Sequence, residues 1–340
     1  MSVNVKTQFN AAGDGATDDT NAIQNAINYA KSLTNPNGGG YRATVYFPAG
    51  SYYITKPINV TNTTGILLMG DGGSYLNSII LGNTNDGNTG RPMFDFTGST
   101  LSGCENFSFL SLDGYANRSS IGVQFALTSV GGLNCGIKNC YFQMADSSTA
   151  NNGIGTVGIL NVRSEEFFVR DCLIRTNAGI ILSYAADLSS LTGVTYTASS
   201  AYQTLASGTG SMGVVSIVGT SIQNYEQRRP ALYLNGTNSV NFQGYLARSI
   251  TKTDGSGGSN ETAIYTNLYT TNLLVHATIE SFSRVLKATN AGFDNNELNV
   301  VVANQNANST ELVDVTSCNV RNLKLRINGP AGQSNRYVIY

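Results

Sequence analysis

The chain has 340 residues, of which 41% are hydrophobic and only 12% charged, and its net charge is −1. That apolar fraction can build a substantial core, which excludes a highly charged disordered chain, and no Lys/Arg run interleaves with aromatics, so no nucleic-acid partner is expected. No apolar run of about 18 residues and no charged-then-apolar leader is present, so neither membrane insertion nor a secretion signal is expected.

The opening segment has a grammar of its own and is taken as an N-terminal cap (1–60), with the body of the chain at 61–340. Gly13-Asp14-Gly15 forms a turn, and Asp18, Asp19 and Thr20 are helix-capping residues. Ala22, Ile23, Ala26, Ile27 and Ala30 recur at helical spacing, which predicts a short amphipathic helix over 19–33. A glycine break at Gly38-Gly39-Gly40 follows, then a strand at Thr44–Phe47, the turn Pro48-Ala49-Gly50 and a strand at Tyr52–Ile54. Beyond residue 64 there is no helical period. Short apolar strands alternate with Gly, Asn, Asp and Ser turns to the end.

These strands repeat. A polar or glycine anchor precedes apolar residues at its first and third following positions: Asn106 before Phe107 and Phe109, Asn139 before Cys140 and Phe142, Asp171 before Cys172 and Ile174. Gly219, Gly244, His276, Asn299 and Asn322 continue the pattern at irregular intervals. Uneven spacing with one long insertion suits a parallel β-helix with loops of varying length, and propeller blades would be longer and more uniform. The positions one and three after each anchor should point inward. Tyr245 is among them, and Cys140 should lie on Cys172. The anchors should turn corners, with inward asparagines forming a ladder, and His276 is read as such a corner residue. The five cysteines include no CxxC pair, so they are taken as buried free thiols, and no metal or cofactor is expected.

The residues Phe9, Ala11, Gly13-Asp14-Gly15, Thr17 to Thr20, Ala22-Ile23-Gln24, Ala26-Ile27 and Val45 to Tyr52 resemble the opening of the pectate-lyase-superfamily domain. Phage tailspikes and related polysaccharide-degrading proteins share that domain. The resemblance ends near Thr55. It implies an all-β fold, a right-handed single-stranded parallel β-helix with a short N-terminal capping helix, and in tailspikes a parallel homotrimer. Asp18 and Asp19 belong to the capping motif and are read as structural. The function implied is a phage tailspike, a receptor-binding protein of the virion that recognises the host by binding, and in depolymerases cleaving, bacterial surface polysaccharide. Other phage tail proteins would be further partners. The rivals are a secreted cellular polysaccharide lyase or glycoside hydrolase of the same fold, and a non-catalytic structural virion protein. Relative to larger tailspikes no separate attachment or trimerisation domain is evident.

Cleavage by hydrolysis requires two carboxyls roughly 5–5.5 Å apart for retention or 6.5–9.5 Å for inversion. Lyase chemistry requires a base and a cation to neutralise the sugar's acid group. Position four after the anchor should face outward and holds Gln143, Arg175, Gln223, Arg248, Glu280 and Arg326, a stripe that could follow a glycan or be an ordinary solvated face. Position seven places Asp113 and Asp146 on successive coils, although Asp113-Gly114 is equally a turn dipeptide. Glu226 matches that position further on, beside Arg228-Arg229. The long insertion at 183–212 carries Tyr184, Tyr196 and Tyr202 for stacking on sugars. The catalytic candidates are therefore Asp113, Asp146, Glu226 and Glu280. The candidates for substrate binding are Arg175, Gln223, Arg248, Arg228 and Tyr184.

Overall fold

A computed structural model describes residues 2–33, 42–72, 77–84, 91–111, 119, 121–126, 133–144, 156–184, 213–224, 230–248, 262–282, 284–289, 292–303, 312–315 and 318–329. Strands pair in parallel with the strands one coil before and one coil after. Ile121–Ala126, for example, lies between Pro92–Thr97 and Val157–Val162. A parallel neighbour cannot be reached by a hairpin, so a chain that pairs this way with itself must wind. The twist of L-residue strands makes such crossovers right-handed. The outcome is the expected right-handed parallel β-helix with one α-helix among the described residues.

Each coil contributes to three columns of strands. The first contains Pro92–Thr97, Ile121–Ala126, Val157–Val162 and Ala178–Ser183. The second contains Ile66–Gly70, Gly103–Glu105, Gly136–Lys138 and Phe167–Arg170. Ser78–Gly82, Ser108–Leu110, Tyr141–Gln143 and Leu173–Thr176 form the third. Further along, Leu232–Arg248 and Thr262–Glu280 each pass through all three columns as one long bent strand. The strands of the N-terminal cap, such as Ala43–Phe47 and Gly50–Ile54, pair directly with the second and third columns.

Corners fall where residues adopt positive φ. Gly65, Leu101, Asn134, Glu166 and Val214, then Ser239, Asn272, Asn295 and Asn322, mark the entry to the second column. Asn106, Asn139, Asp171 and Gly219 mark the entry to the third. Glycine meets no Cβ penalty there, and Asn and Asp tolerate the left-handed region better than other side chains. The predicted asparagine ladder exists, with Asn139 Nδ2 donating to Asn106 Oδ1 at 2.7 Å. It lies on the solvent side, though, because a left-handed residue turns its side chain away from the core at this corner.

Gly219 also corrects the register. Val218 pairs with Gln243 and Thr220 with Gly244, so Gly219, which stands over the Asp171 corner, bulges only relative to the next coil, which lacks a corner residue there. Beyond it, Gln243, His276 and Asn299 stand in one row. Gly244 is therefore not an anchor, and Tyr245, expected inward, faces outward while Leu246 is buried. His276 lies exposed in mid-strand instead of at a corner, because no residue of positive φ follows it before the strand ends at Glu280. Asn322 stacks on Asn295, to which it donates at 2.9 Å, and the partner of Asn299 is Arg326.

Inward rows are apolar and stack on themselves. Phe96 pairs with Phe125 and their rings stack at 4.9 Å; Phe109 pairs with Phe142 and theirs stack at 4.7 Å. These separations are the strand spacing itself, so flat rings stack wherever register repeats them. Cys140 and Cys172 lie in neighbouring coils of one buried row, and burial raises both thiols well above their ordinary pKa. All five cysteines are free. Cys318 departs from expectation in being only partly buried.

The helix α1, Thr20–Leu33, buries Ile23, Ala26, Ile27 and Ala30 against strands Ser2–Asn4, Ala43–Phe47 and Ile58–Asn59. It covers apolar surface at the first coils, and Gln24 pairs with both the N–H and the carbonyl of Asn59. The residues of this motif are structural, as anticipated, although Asp19 serves the Gly13 turn and not a helix amide. Asp19 is buried and accepts from the backbone N–H of Ala12 at 2.6 Å and Gly13 at 3.0 Å. Asp18 accepts from the Thr20 N–H and from the hydroxyls of Thr20 and Thr55. Partial burial alone would raise the Asp18 carboxyl, but these bonds outweigh it and hold it below its ordinary range. Asp14 is brought down to about 2 by the N–H groups of Thr17 and Ala16 and by the Thr17 hydroxyl.

Acid should therefore weaken what Asp14 and Asp18 contribute to this cap, whereas Asp19, raised by burial, acts in the opposite sense. A carboxyl depressed in the fold stabilises fully above its unfolded pKa of about 4 and loses that contribution as pH falls through its folded value. The melting temperature should drop between pH 4 and about 2, the value for Asp14. Asp14→Asn, unable to titrate, should start lower at pH 5 and lose less on acidification. Circular-dichroism melts across this range give the comparison; identical acid responses in the two proteins would remove Asp14 from the account.

Candidate functional site

The third column presents its outward side chains at alternate positions, as a pleated strand must. One outward row runs Leu110, Gln143, Arg175, Gln223, Ala247, Glu280 and Ala303, each in register with the next. The row beside it runs Ser108, Tyr141, Leu173, Ser221, Tyr245, Thr278 and Val301. Two polar-aromatic clusters stand out in these rows.

The first cluster joins three coils. Arg175 Nε donates to Gln223 Oε1 at 2.8 Å, and its Nη1 donates to the Tyr141 hydroxyl at 3.3 Å. That hydroxyl in turn donates to Gln143 Oε1. The guanidinium also lies 5.8 Å from the centre of the Tyr141 ring, within cation–π range. All four residues are half-buried, so each has one side on the sheet and one in water. In the second cluster the Tyr245 hydroxyl donates to Glu280 Oε2 from the adjacent coil. Burial, then the bond to Glu280 and its charge, push the Tyr245 phenol up to about 12.

Arg175, Gln223 and Glu280 thus lie in the row that the sequence assigned to them. Arg248 does not. It pairs with Asn224, and Ala247 is the residue in register with Glu280, because the Gly219 bulge shifts this part of the chain by one. Arg326 pairs with Asn299 in another column for the reason given for Asn322. Tyr184 is at the end of the first column, where Arg163 lies 3.9 Å from its ring centre and Arg163 Nε donates to its carbonyl at 2.7 Å. It is therefore not part of the Arg175 cluster. Asp113, Asp146, Glu226 and Arg228 lie outside the described residues, as does most of the 183–212 insertion, including Tyr196 and Tyr202.

Tyr141 and Tyr245 are the members that the sequence reading did not assign to the site. Alternation carried the signal for Tyr141, since it precedes Gln143 by two and must share its face. For Tyr245 the signal was plain alternation, since Val240, Phe242 and Leu246 share one parity and Tyr245 has the other. Among the described residues no group of three His, Cys, Asp or Glu side chains could hold a metal ion.

A right-handed β-helix whose outward sheet carries rows of tyrosine, amide, arginine and carboxylate side chains defines the class of this protein. More narrowly, residues 2–227 match the rhamnogalacturonase A/epimerase, pectate lyase-like family, and the chain belongs to it. No curated protein matches the chain. Among solved structures it is similar to the ORF18 protein of Geobacillus virus E2, at a TM-score of 0.55 and 18% identity. That alignment covers 95% of this chain and 59% of the viral one, so the chain spans about three fifths of that relative's length. It is also similar to DFA-IIIase from Arthrobacter chlorophenolicus A6, solved in complex with GF2, at a TM-score of 0.57 and 12% identity, covering 96% of this chain and 79% of the enzyme. At such identities the likeness is one of fold.

The Tyr245–Glu280 pair can be tested alone. Changing Glu280→Gln removes the negative charge that disfavours the phenolate, so the Tyr245 pKa should fall from about 12 toward 10, with burial keeping it above that value. Ultraviolet absorbance titration of wild type against variant would isolate the one tyrosine that moves. Superimposable curves would show that Glu280 does not act on Tyr245.

Proposed function

We propose that this protein binds polysaccharide on the outward face of its third strand column, and does so as a tailspike-type receptor-binding protein directed at bacterial surface glycans. The observation that carries the reading is the hydrogen-bonded row Tyr141, Gln143, Arg175 and Gln223, continued by Tyr245 and Glu280. Rows one strand spacing apart, about 4.8 Å, offer aromatic faces and fixed polar groups at a repeat close to that of an extended sugar chain. Tyrosine supplies a rigid ring with a polar tip, so it can stack and hydrogen-bond at once. The family and the viral structural relative support the same reading.

Cleavage of the bound glycan is a second reading, and the Tyr245–Glu280 pair favours it. A carboxylate held by a phenol can move a proton, and Glu280 is the one carboxylate in the two outward rows described. Hydrolysis would need a second carboxyl, for which Asp113, Asp146 and Glu226 remain the sequence candidates. A parallel homotrimer, in a virion tail, is part of the tailspike proposal.

Incubation of the protein with purified capsular and lipopolysaccharide glycans tests these readings together. Binding should weaken about tenfold or more in Tyr141→Ala and in Tyr245→Ala, a loss expected for one stacking or hydrogen-bonding group. Ultraviolet-absorbing unsaturated ends would mark a lyase, and new reducing ends without them a hydrolase. If Glu280 is catalytic, Glu280→Gln should abolish product while retaining binding. Binding with no product would leave a receptor-binding protein. Failure to bind any glycan would count against the proposal as a whole. A monomeric mass in light scattering at micromolar protein would refute the trimer.

A further inference from the structure

Resting on the reading that the third column binds glycan, we infer that Arg175 anchors a carboxylate and that the polysaccharide recognised is therefore acidic. A guanidinium has five N–H donors and no acceptor. Arg175 uses Nε on Gln223 and one Nη1 proton on Tyr141, which leaves three N–H groups, one on Nη1 and two on Nη2. Both partners are neutral. Among the described residues no carboxylate lies within ion-pair distance of Arg175, whereas Arg284 and Lys287 share Asp314 and Lys324 has Glu297. A half-buried cation with only neutral partners around it is incomplete on its own, and an anionic ligand completes it.

The surrounding hydrogen bonds point the same way because arginine fixes their direction. Arg175 can only donate, so the Tyr141 oxygen accepts from it and must pass its own proton on, to Gln143 Oε1. Gln223 likewise spends its carbonyl oxygen on Arg175 Nε. Both glutamines thereby direct their acceptors into the cluster and keep their amide N–H groups for a ligand. Three successive coils then present an excess of donors, in the order Gln143, Arg175, Gln223. A sugar hydroxyl must also place its own proton, for which this end of the row offers only the remaining carbonyl lone pairs. A carboxylate, acceptor-only and planar, matches the open end of the guanidinium in the bidentate geometry that arginine favours.

Purified acidic and neutral bacterial capsular polysaccharides, with each acidic one also in carboxyl-reduced form, supply the test on the full chain. Acidic polysaccharide should bind, and carboxyl reduction or Arg175→Gln should each lower affinity about 10- to 100-fold, the range for a charge-assisted hydrogen bond. Arg175→Lys, which keeps the charge and loses the fork, should fall between them, and melting curves would confirm that both variants fold. Gln223→Ala should weaken a native acidic polysaccharide more than its carboxyl-reduced form, a selectivity that mere structural damage would not produce. Lys324→Gln, an exposed cation outside this cluster, should change nothing. Equal binding of native and carboxyl-reduced polysaccharide, or of a neutral one, unaltered by Arg175→Gln, would overturn the inference and spare the glycan-binding reading. Absence of binding to any member of the panel would overturn that reading itself.

Discussion

Every feature of this molecule depends on one repeated contact, the in-register parallel hydrogen bonding of each coil to the next. Parallel register places residue over residue, so whatever side chain occurs at a position is stacked on its counterpart one strand spacing away. Inward, this produces the phenylalanine stacks of Phe96 with Phe125 and Phe109 with Phe142, and the buried row shared by Cys140 and Cys172. Each stacked aromatic pair contributes about 0.5–1.5 kcal/mol beyond the burial of its area, and the gain recurs along the helix. Outward, the same rule converts an arginine, two glutamines and a tyrosine on three successive coils into one connected cluster.

Such a lattice has little tolerance for a change in residue count between coils, and where one occurs it has consequences. The bulge at Gly219 is possible because that glycine adopts φ of 66°, and it bends the sheet just before the segment that carries Gln223. The next coil lacks this corner residue, so its alternation runs unbroken from Phe242 to Leu246 and leaves Tyr245 on the outward row, where Glu280 can meet it. A Cβ at position 219 would lie 2.3 Å from Asp171 Oδ1, so the bulge also depends on the absence of a side chain there. The outward face is thus continuous across the bulge in position but changes in chemistry, from a donor-rich cationic end at Arg175 to a phenol–carboxylate end at Glu280.

The N-terminal cap solves a separate problem, the exposed end that any open β-helix leaves. Helix α1 covers apolar surface at the first coils, and Gln24 satisfies the backbone of Asn59 beside it. The Gly-Asp-Gly turn and the Asp18-Asp19-Thr20 run fold around their own backbone amides, which is why carboxylates in a strongly patterned motif have structural partners and take no part in the outward site. The sequence pattern that identifies the family and the rows that could bind glycan are therefore different parts of the chain.

By itself the sequence determined the solenoid, the capping helix, the inward rows and the membership of Arg175, Gln223 and Glu280 in one outward row. These follow from local rules: helical or alternating spacing, left-handed corners marked by Asn106, Asn139 and Asp171, and repetition of the pair of apolar positions after them. Only the tertiary structure decided the register beyond Gly219, and with it the places of Tyr245, Arg248, His276 and Asn322. A missing corner leaves no mark in composition, because a glycine such as Gly244 could serve equally as a corner or as a mid-strand residue. Tertiary structure also decided which groups of the face bond to one another. That choice depends on the direction of each hydrogen bond and on distances between coils that lie far apart in sequence, which no local pattern encodes.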